Sequence, residues 1–202
     1  VRRSITLAEE DAERAVAYGQ RIVAFYGSEV GQRSRSRGLS GPWGAERDWV
    51  RQADGKLGEV AFARYCGLNP DTALNWDAGR GGDGGFDVQL PSGVRADVKT
   101  TEPNRRLIWS REKNSLFEAT PFDVLVSVTA SIWTPVCSIN GFVSKAGFAE
   151  RKRIAGAGDG LAAGTWWMRT ADLSDVELLL EEARRISRIR AGLRAGADPS
   201  LL

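Results

Sequence analysis

Gly81-Gly82-Asp83-Gly84-Gly85-Phe86-Asp87-Val88-Gln89-Leu90-Pro91-Ser92-Gly93-Val94-Arg95-Ala96-Asp97-Val98-Lys99-Thr100 is the stretch on which the fold turns. Phe86 to Leu90 alternates as a strand, Pro91-Ser92-Gly93 reads as a turn, and Val94 to Thr100 reads as a second strand. The spacing therefore predicts an antiparallel hairpin. Successive side chains of a strand point to opposite faces. Asp97 and Lys99 then share one face, while Ala96, Val98 and Thr100 share the other, which is apolar enough to pack on a helix. The acid and the lysine are expected on the face that is not core. Pairing across the turn brings Asp87 towards Asp97.

Two neighbouring carboxylates repel unless a cation lies between them. Hard oxygen ligands suit magnesium, which takes few protein ligands and keeps several waters. A metal held there polarises a phosphate and activates a water, and Lys99 is placed to orient that water or to neutralise developing charge. The pattern acid-x-Lys occurs at Asp54–Lys56, Asp97–Lys99 and Glu150–Lys152, and only the middle pair falls on a predicted strand. The chain has five lysines among its 28 basic residues, so a lysine at 99 points to a need for a compact ammonium. The glycine run before Asp87 lets backbone approach a ligand closely. It lacks the Gly-Lys-Ser/Thr of a Walker loop.

Outward from the hairpin, Thr6 with Glu9 reads as a capping box for a first helix from about Leu7 to Tyr26. Gly27 to Gly44 reads as a mobile loop. A second helix is expected from about Ala45 to Cys66, with Trp49, Ala53, Leu57, Val60 and Ala61 as its buried stripe. Downstream, strands are expected at Arg106 to Trp109, Phe122 to Val128 (central), Pro135 to Ile139, Gly141 to Val143 and Thr165 to Arg169. Ser144 is expected to cap a short helix ending near Ile154, and Asp172 a long final one. This order predicts an α+β (mixed α/β) class with one mainly antiparallel sheet flanked by helices. The whole chain is read as one domain: residues 1–45 the first helix and loop, 46–170 the catalytic core, 171–195 the last helix.

Composition narrows the chemistry. With 202 residues, 42% hydrophobic and 27% charged, the chain can bury a real core. It has no histidine, which excludes a Ser-His-Asp triad, a Cys-His pair and His-ligated zinc. Its two cysteines, Cys66 and Cys137, are read as small buried thiols. The acidic helical start and the lack of a long apolar run lead us to expect an intracellular, cytoplasmic protein without a membrane span. Net charge is only +2, so any nucleic-acid surface must be local. Arg105, Arg106 and Lys113, just after the hairpin, are the candidate phosphate contacts. The arginines of the last helix read as a solvated face.

Gly82-Asp83-Gly84-Gly85-Phe86-Asp87, Asp97-Val98-Lys99 and the helical Gly58-Glu59 together resemble the PD-(D/E)xK nuclease superfamily over roughly Lys56 to Val128. The resemblance implies a restriction-endonuclease-like core and a magnesium-dependent DNA nuclease, with manganese as a substitute metal. It implies Glu59, Asp87, Asp97 and Lys99 as catalytic residues, with metal at Asp87, Asp97, Val98 and Glu59. It implies 5′-phosphate products, DNA as partner and action as a homodimer. Structure-directed cutting in recombination, repair or phage DNA metabolism is the expected setting. The chain departs from the pattern at Phe86, where proline is common, at Asp97, where Glu is more frequent, and in lacking an obvious glutamine after Lys99. The alternative is a DNA-binding accessory module of the same fold with weak or no cleavage.

Overall fold

Residues 2–27, 48–77, 85–101, 106–109 and 111–194 are described by the structure, a computed structural model. The glycine-run residues Gly81 to Gly84, Arg105 and nearly all of the predicted loop over 27–44 lie outside the described residues.

The predicted hairpin forms. Strand β2 (Val88–Gln89) pairs antiparallel with β3 (Arg95–Thr100) in the register Val88↔Ala96. Gly93 closes the turn at φ 87°, a conformation that glycine adopts without a Cβ penalty. Beyond β3 the sheet departs from expectation. Strand β5 (Val124–Thr129) runs parallel to β3, whereas β6 (Val136–Ser144) and then β1 (Arg3–Thr6) add antiparallel, giving the order β1-β6-β5-β3-β2. A parallel pair needs a long crossover. Here the crossover carries β4 (Arg106–Trp109) and a 3-10 helix (Arg111–Leu116) out of the first sheet. β4 instead joins β8 (Trp166–Arg169) and β7 (Arg153–Ile154) in a second, three-stranded antiparallel sheet. The expected single sheet is therefore two. The mixed α+β class and the central position of β5 stand.

Helix α1 (Glu9–Gly27) and α2 (Asp48–Tyr65) pack closely on each other, and α2 lies on the Ala96–Val98–Thr100 face of β3. The predicted stripe Ala53, Leu57, Val60 and Ala61 is buried there. Two glycines permit these approaches. A Cβ on Gly58 would lie 2.0 Å from Thr100 Oγ1, and one on Gly19 would lie 2.4 Å from the Trp49 carbonyl oxygen. The short α3 (Pro70–Ala73) is capped by Asn69, α4 (Lys145–Arg151) by Ser144 as predicted, and α5 (Val176–Arg194) covers the first core with Val176, Leu179, Leu180 and Ala183. A second core, Leu107, Trp109, Phe117, Phe122, Leu125, Val143, Phe148 and Met168, fills the space between the two sheets.

Several local expectations are corrected. Thr6 does not cap α1; it pairs with Val136 in β1. Pro135–Ile139 and Gly141–Val143 merge into one strand with a register shift near Asn140. α4 stops at Arg151 because Arg153 and Ile154 turn to pair with Trp167 and Trp166. At the start of α5, Asp175 Oδ1 accepts from the Glu177 amide at 3.1 Å, while Asp172 is held by Arg169. Among the described residues no helix is long and apolar enough to cross a membrane. Both cysteines are free thiols.

Gly19→Ala is expected to lower stability by about 1–3 kcal/mol, the usual cost of forcing atoms into a packed contact, because its Cβ meets backbone that a rotamer change cannot move. Urea denaturation checks this, and an unchanged midpoint would show that the helices separate freely.

Asp123, on the approach to β5, clamps Arg95 of β3. Its carboxylate accepts from the Arg95 amide at 2.8 Å and from the guanidinium at 3.1 and 3.0 Å. Hydrogen bonding to the Arg95 side chain holds the Asp123 pKa below the ordinary 3.8. A depressed carboxylate pKa contributes stability above the ordinary value and loses it as pH falls through the folded value. Asp123→Asn should therefore melt below the parent chain at neutral pH, with the gap closing on acidification below about pH 4. Thermal melts across pH read it directly.

Candidate nuclease site

Past the paired Val88↔Ala96, Asp87 runs alongside Asp97, bonded to the residues on either side of it. The Asp87 amide donates to the Ala96 carbonyl at 2.9 Å. Its Oδ2 accepts from the Val98 amide at 2.6 Å, so a carboxylate takes over where the β2 backbone stops supplying acceptors. The amide and carbonyl of an extended residue point to the same strand edge. The Val98 carbonyl therefore faces the side from which Asp87 approaches.

Asp97 and Lys99 share the opposite face of β3 from α2, as alternation predicts. That face is not open, however. The second sheet covers it, and Asp97 is 6% exposed. Leu125 and Val143, which share this face by register, give the second core its apolar floor and draw Trp109 and Met168 down over it. Lys99 Nζ lies 2.7 Å from Asp97 Oδ1 and 2.6 Å from Oδ2. Only the first contact has hydrogen-bond geometry, since Oδ2 is buried without a hydrogen-bond donor. The ammonium also sits 5.2 Å from the centre of the Trp109 ring, where cation–π attraction offsets part of its lost hydration.

Glu59 is placed differently. On α2, it accepts from the ammonium of Lys56, one of the most deeply buried charged groups of the chain. Lys56 also donates to the Asn75 carbonyl at 3.0 Å and lies 4.5 Å from the Tyr18 ring and 5.8 Å from the Trp76 ring. A buried ammonium needs such a counter-charge. Glu59 thus balances Lys56, on a helix that packs against the other face of β3.

A cavity of about 420 Å³ opens beside the motif, lined by Val98, Lys99, Thr100 and Thr101 of the β3 end, Arg51, Asp54 and Gly55 of α2, and Arg106 and Ile108 of β4. Arg106, one of the predicted phosphate contacts, lines it; its guanidinium lies 4.1 Å from the Trp167 ring centre and donates to the Asp159 carbonyl at 2.7 Å. Lys113 is exposed on the 3-10 helix and does not line this cavity. Neither Asp87, Asp97 nor Glu59 lines it; among the described residues the carboxylate present is Asp54. Burial pushes the Asp54 pKa up, against the lowering effect of the Ile132 amide, which donates to Oδ1 at 2.7 Å.

Arg51 escaped the sequence reading and Asp54 entered it only as an acid-x-Lys pair off the strands, although Arg51, Asp54, Gly55 and Gly58 repeat at i, i+3, i+4 and i+7. That polar and small stripe marks a second face of α2 turned towards the sheet. Also missed was a buried hydroxyl cluster next to Lys99. Asn140 Nδ2 donates to Ser127 Oγ at 3.1 Å and to Thr129 Oγ1 at 3.0 Å, with Thr101 Oγ1 at 3.5 Å. Ser127 is the cross-strand neighbour of Lys99. The β6 register shift that turns Asn140 inward leaves no mark in the sequence.

Two neighbouring carboxylates, one of them neutralised by Lys99, and a carbonyl on the same strand edge are all hard oxygen donors. Among the described residues no group of three or more acidic or thiol ligands stands together. Magnesium does not need one, because it binds through one or two carboxylates and keeps its waters. The residues therefore fit magnesium with Asp87, Asp97 and Val98, and leave Glu59 with Lys56. No family model, curated protein or solved structure matches the chain.

Lys99→Met removes the counter-charge of a buried carboxylate and should cost roughly 3 kcal/mol, the low end for breaking a buried pair, because part of the lysine reaches solvent. Asp97→Asn combined with Lys99→Met should recover most of that loss. Denaturant titration of both single variants and the double variant measures the coupling; strict additivity would show that the pair carries no net interaction.

Proposed function

We propose that this chain is a magnesium-dependent deoxyribonuclease with a restriction-endonuclease-like core, hydrolysing DNA phosphodiester bonds. One observation carries the reading: Asp87 is bonded to the residues on either side of Asp97, and Lys99, on the Asp97 face, stands at the wall of a cavity that two arginines also line. Asp87, Asp97 and the Val98 carbonyl would hold the metal, which when bound supplies a Lewis acid for the phosphate and lowers the pKa of a water. Glu59 would join them only by giving up Lys56.

The chain's own groups have definite parts in this scheme. The Lys99 ammonium neutralises Asp97 and, once that carboxylate has another cation, is freed to hold an attacking water or a phosphate oxygen. Arg51 and Arg106 supply positive charge on two walls of the cavity, suited to the phosphates flanking the cut. The Thr100 and Thr101 hydroxyls are further donors at the same end of β3. DNA as partner, structure-directed choice of substrate and action as a homodimer belong to this proposal.

A second reading, a DNA-binding module of the same fold with little or no cleavage, is favoured by the burial of Asp97 and by the engagement of Asp87 Oδ2 with the Val98 amide. Labelled linear, nicked, flapped and four-way DNAs, incubated with magnesium or with EDTA, separate the two. Cleavage should require magnesium and fall at least a hundredfold in Asp97→Asn and Lys99→Ala, while Arg106→Ala mainly weakens binding. Binding without magnesium-dependent cutting on any substrate would leave the module reading.

A further inference from the structure

A second cavity, of about 620 Å³, lies away from the β3 motif. It opens between the β2–β3 turn and α5, with the end of α2 behind it. Its volume falls within the roughly 300–1,000 Å³ of small-molecule sites, which are mostly apolar with a few placed polar groups. The walls here follow that pattern. Leu90 and Pro91 come from the turn, Leu180 and Ala183 from α5, and the neutral Cys66 thiol closes the back. Burial pushes that thiol pKa up to about 12. Among the described residues no carboxylate lines the cavity.

The charged groups at this cavity, among the described residues, are Arg184 and Arg188. They are four residues apart on α5 and so lie on one helix face. Other arginines of this helix are engaged: Arg185 with the Glu182 carboxylate at 2.8 and 2.7 Å, and Arg190 with the Ser92 carbonyl. Among the described residues, Arg184 and Arg188 enter no ion pair. Arg184 and Arg188, which have no carboxylate partner among the described residues, are thus both at the edge of an apolar cavity.

We propose that this cavity binds an amphiphile with one apolar tail and an anionic head, the tail against Leu90, Leu180 and Ala183 and the head at Arg184 and Arg188. The site is independent of the nuclease reading. It takes its ligand from solution, since one cavity accommodates a single tail and the two cations suit a carboxylate or sulfate group.

Dodecanoate below its micellar concentration is the probe, titrated calorimetrically into the full chain, with dodecanol as the uncharged control. Saturable one-to-one binding of dodecanoate is expected, at least tenfold tighter than dodecanol. Arg184→Glu combined with Arg188→Glu should weaken it at least tenfold, and Ala183→Trp, which fills the cavity, should abolish it. Because Ala183→Trp can unfold the chain, circular dichroism accompanies it, and the exposed double arginine variant carries the test if it does. Equal binding of dodecanoate and dodecanol, no saturable binding, or undiminished affinity in the arginine variant would each overturn the proposal.

Discussion

Strand β3 has to satisfy two cores at once, and the rest of the molecule is arranged around that constraint. Ala96 and Val98 belong to the core under α2, where Gly58 lets the helix settle onto Thr100. Asp97 and Lys99 face the second core and can enter it only as a mutually neutralised pair. An isolated charge in that position would face a desolvation penalty of several kcal/mol. The ion pair, the Trp109 ring beneath the ammonium and the crossover that delivers Trp109 are thus consequences of one strand being covered on both sides.

Lysine usage follows the same logic and revises an inference from composition. A rare lysine at 99 suggested a functional ammonium. In the fold, Lys56 lies against Tyr18 and Trp76, Lys99 against Trp109, Lys145 against Phe117 and Phe122, and Lys152 against Trp166. Four of the five lysines in the sequence therefore sit on aromatic rings. Arginine takes this position too, as Arg14 does on Trp76 at 4.0 Å. A lysine, with a single compact charge on an aliphatic stem, packs into such places with less polar surface to satisfy. Scarcity of lysine marks cations packed on aromatic rings as readily as catalytic ones.

The parts of the fold that were legible in the sequence are those with a strong local period or a local cap: the hairpin from Phe86 to Thr100, the stripe of α2, the apolar run of β5 and the Ser144 cap. The illegible parts depend on distant partners. Arg3 to Thr6 has too few residues to show alternation and becomes a strand because β6 offers an edge to it. Arg106 to Trp109 is recognisably a strand, but nothing local says that its partner is Trp166 to Arg169 rather than β3. The same holds for the site. Asp87, Asp97 and Lys99 meet because they lie on one hairpin, whereas Arg51 and Asp54 reach the cavity through helix packing, and Asn140 reaches the hydroxyls beside Lys99 through a register shift in a distant strand.

The Asp97–Lys99 pair also bears on how such a site would be kept ready. A carboxylate held open to water relaxes among rotamers and must be ordered when a cation arrives. One held by a lysine two residues away on the same strand is already fixed, at the cost of a competing positive charge. The geometry makes the competition local, because Nζ touches both oxygens of Asp97 while the stem of Lys99 reaches the cavity wall. On the proposed reading, Asp87 and Asp97 would hold the cation, and Lys99, relieved of its part in neutralising Asp97, would keep its stem at the cavity wall. The same ion pair that lets β3 enter the second core thus also sets where the lysine stands, at the border between that core and the cavity.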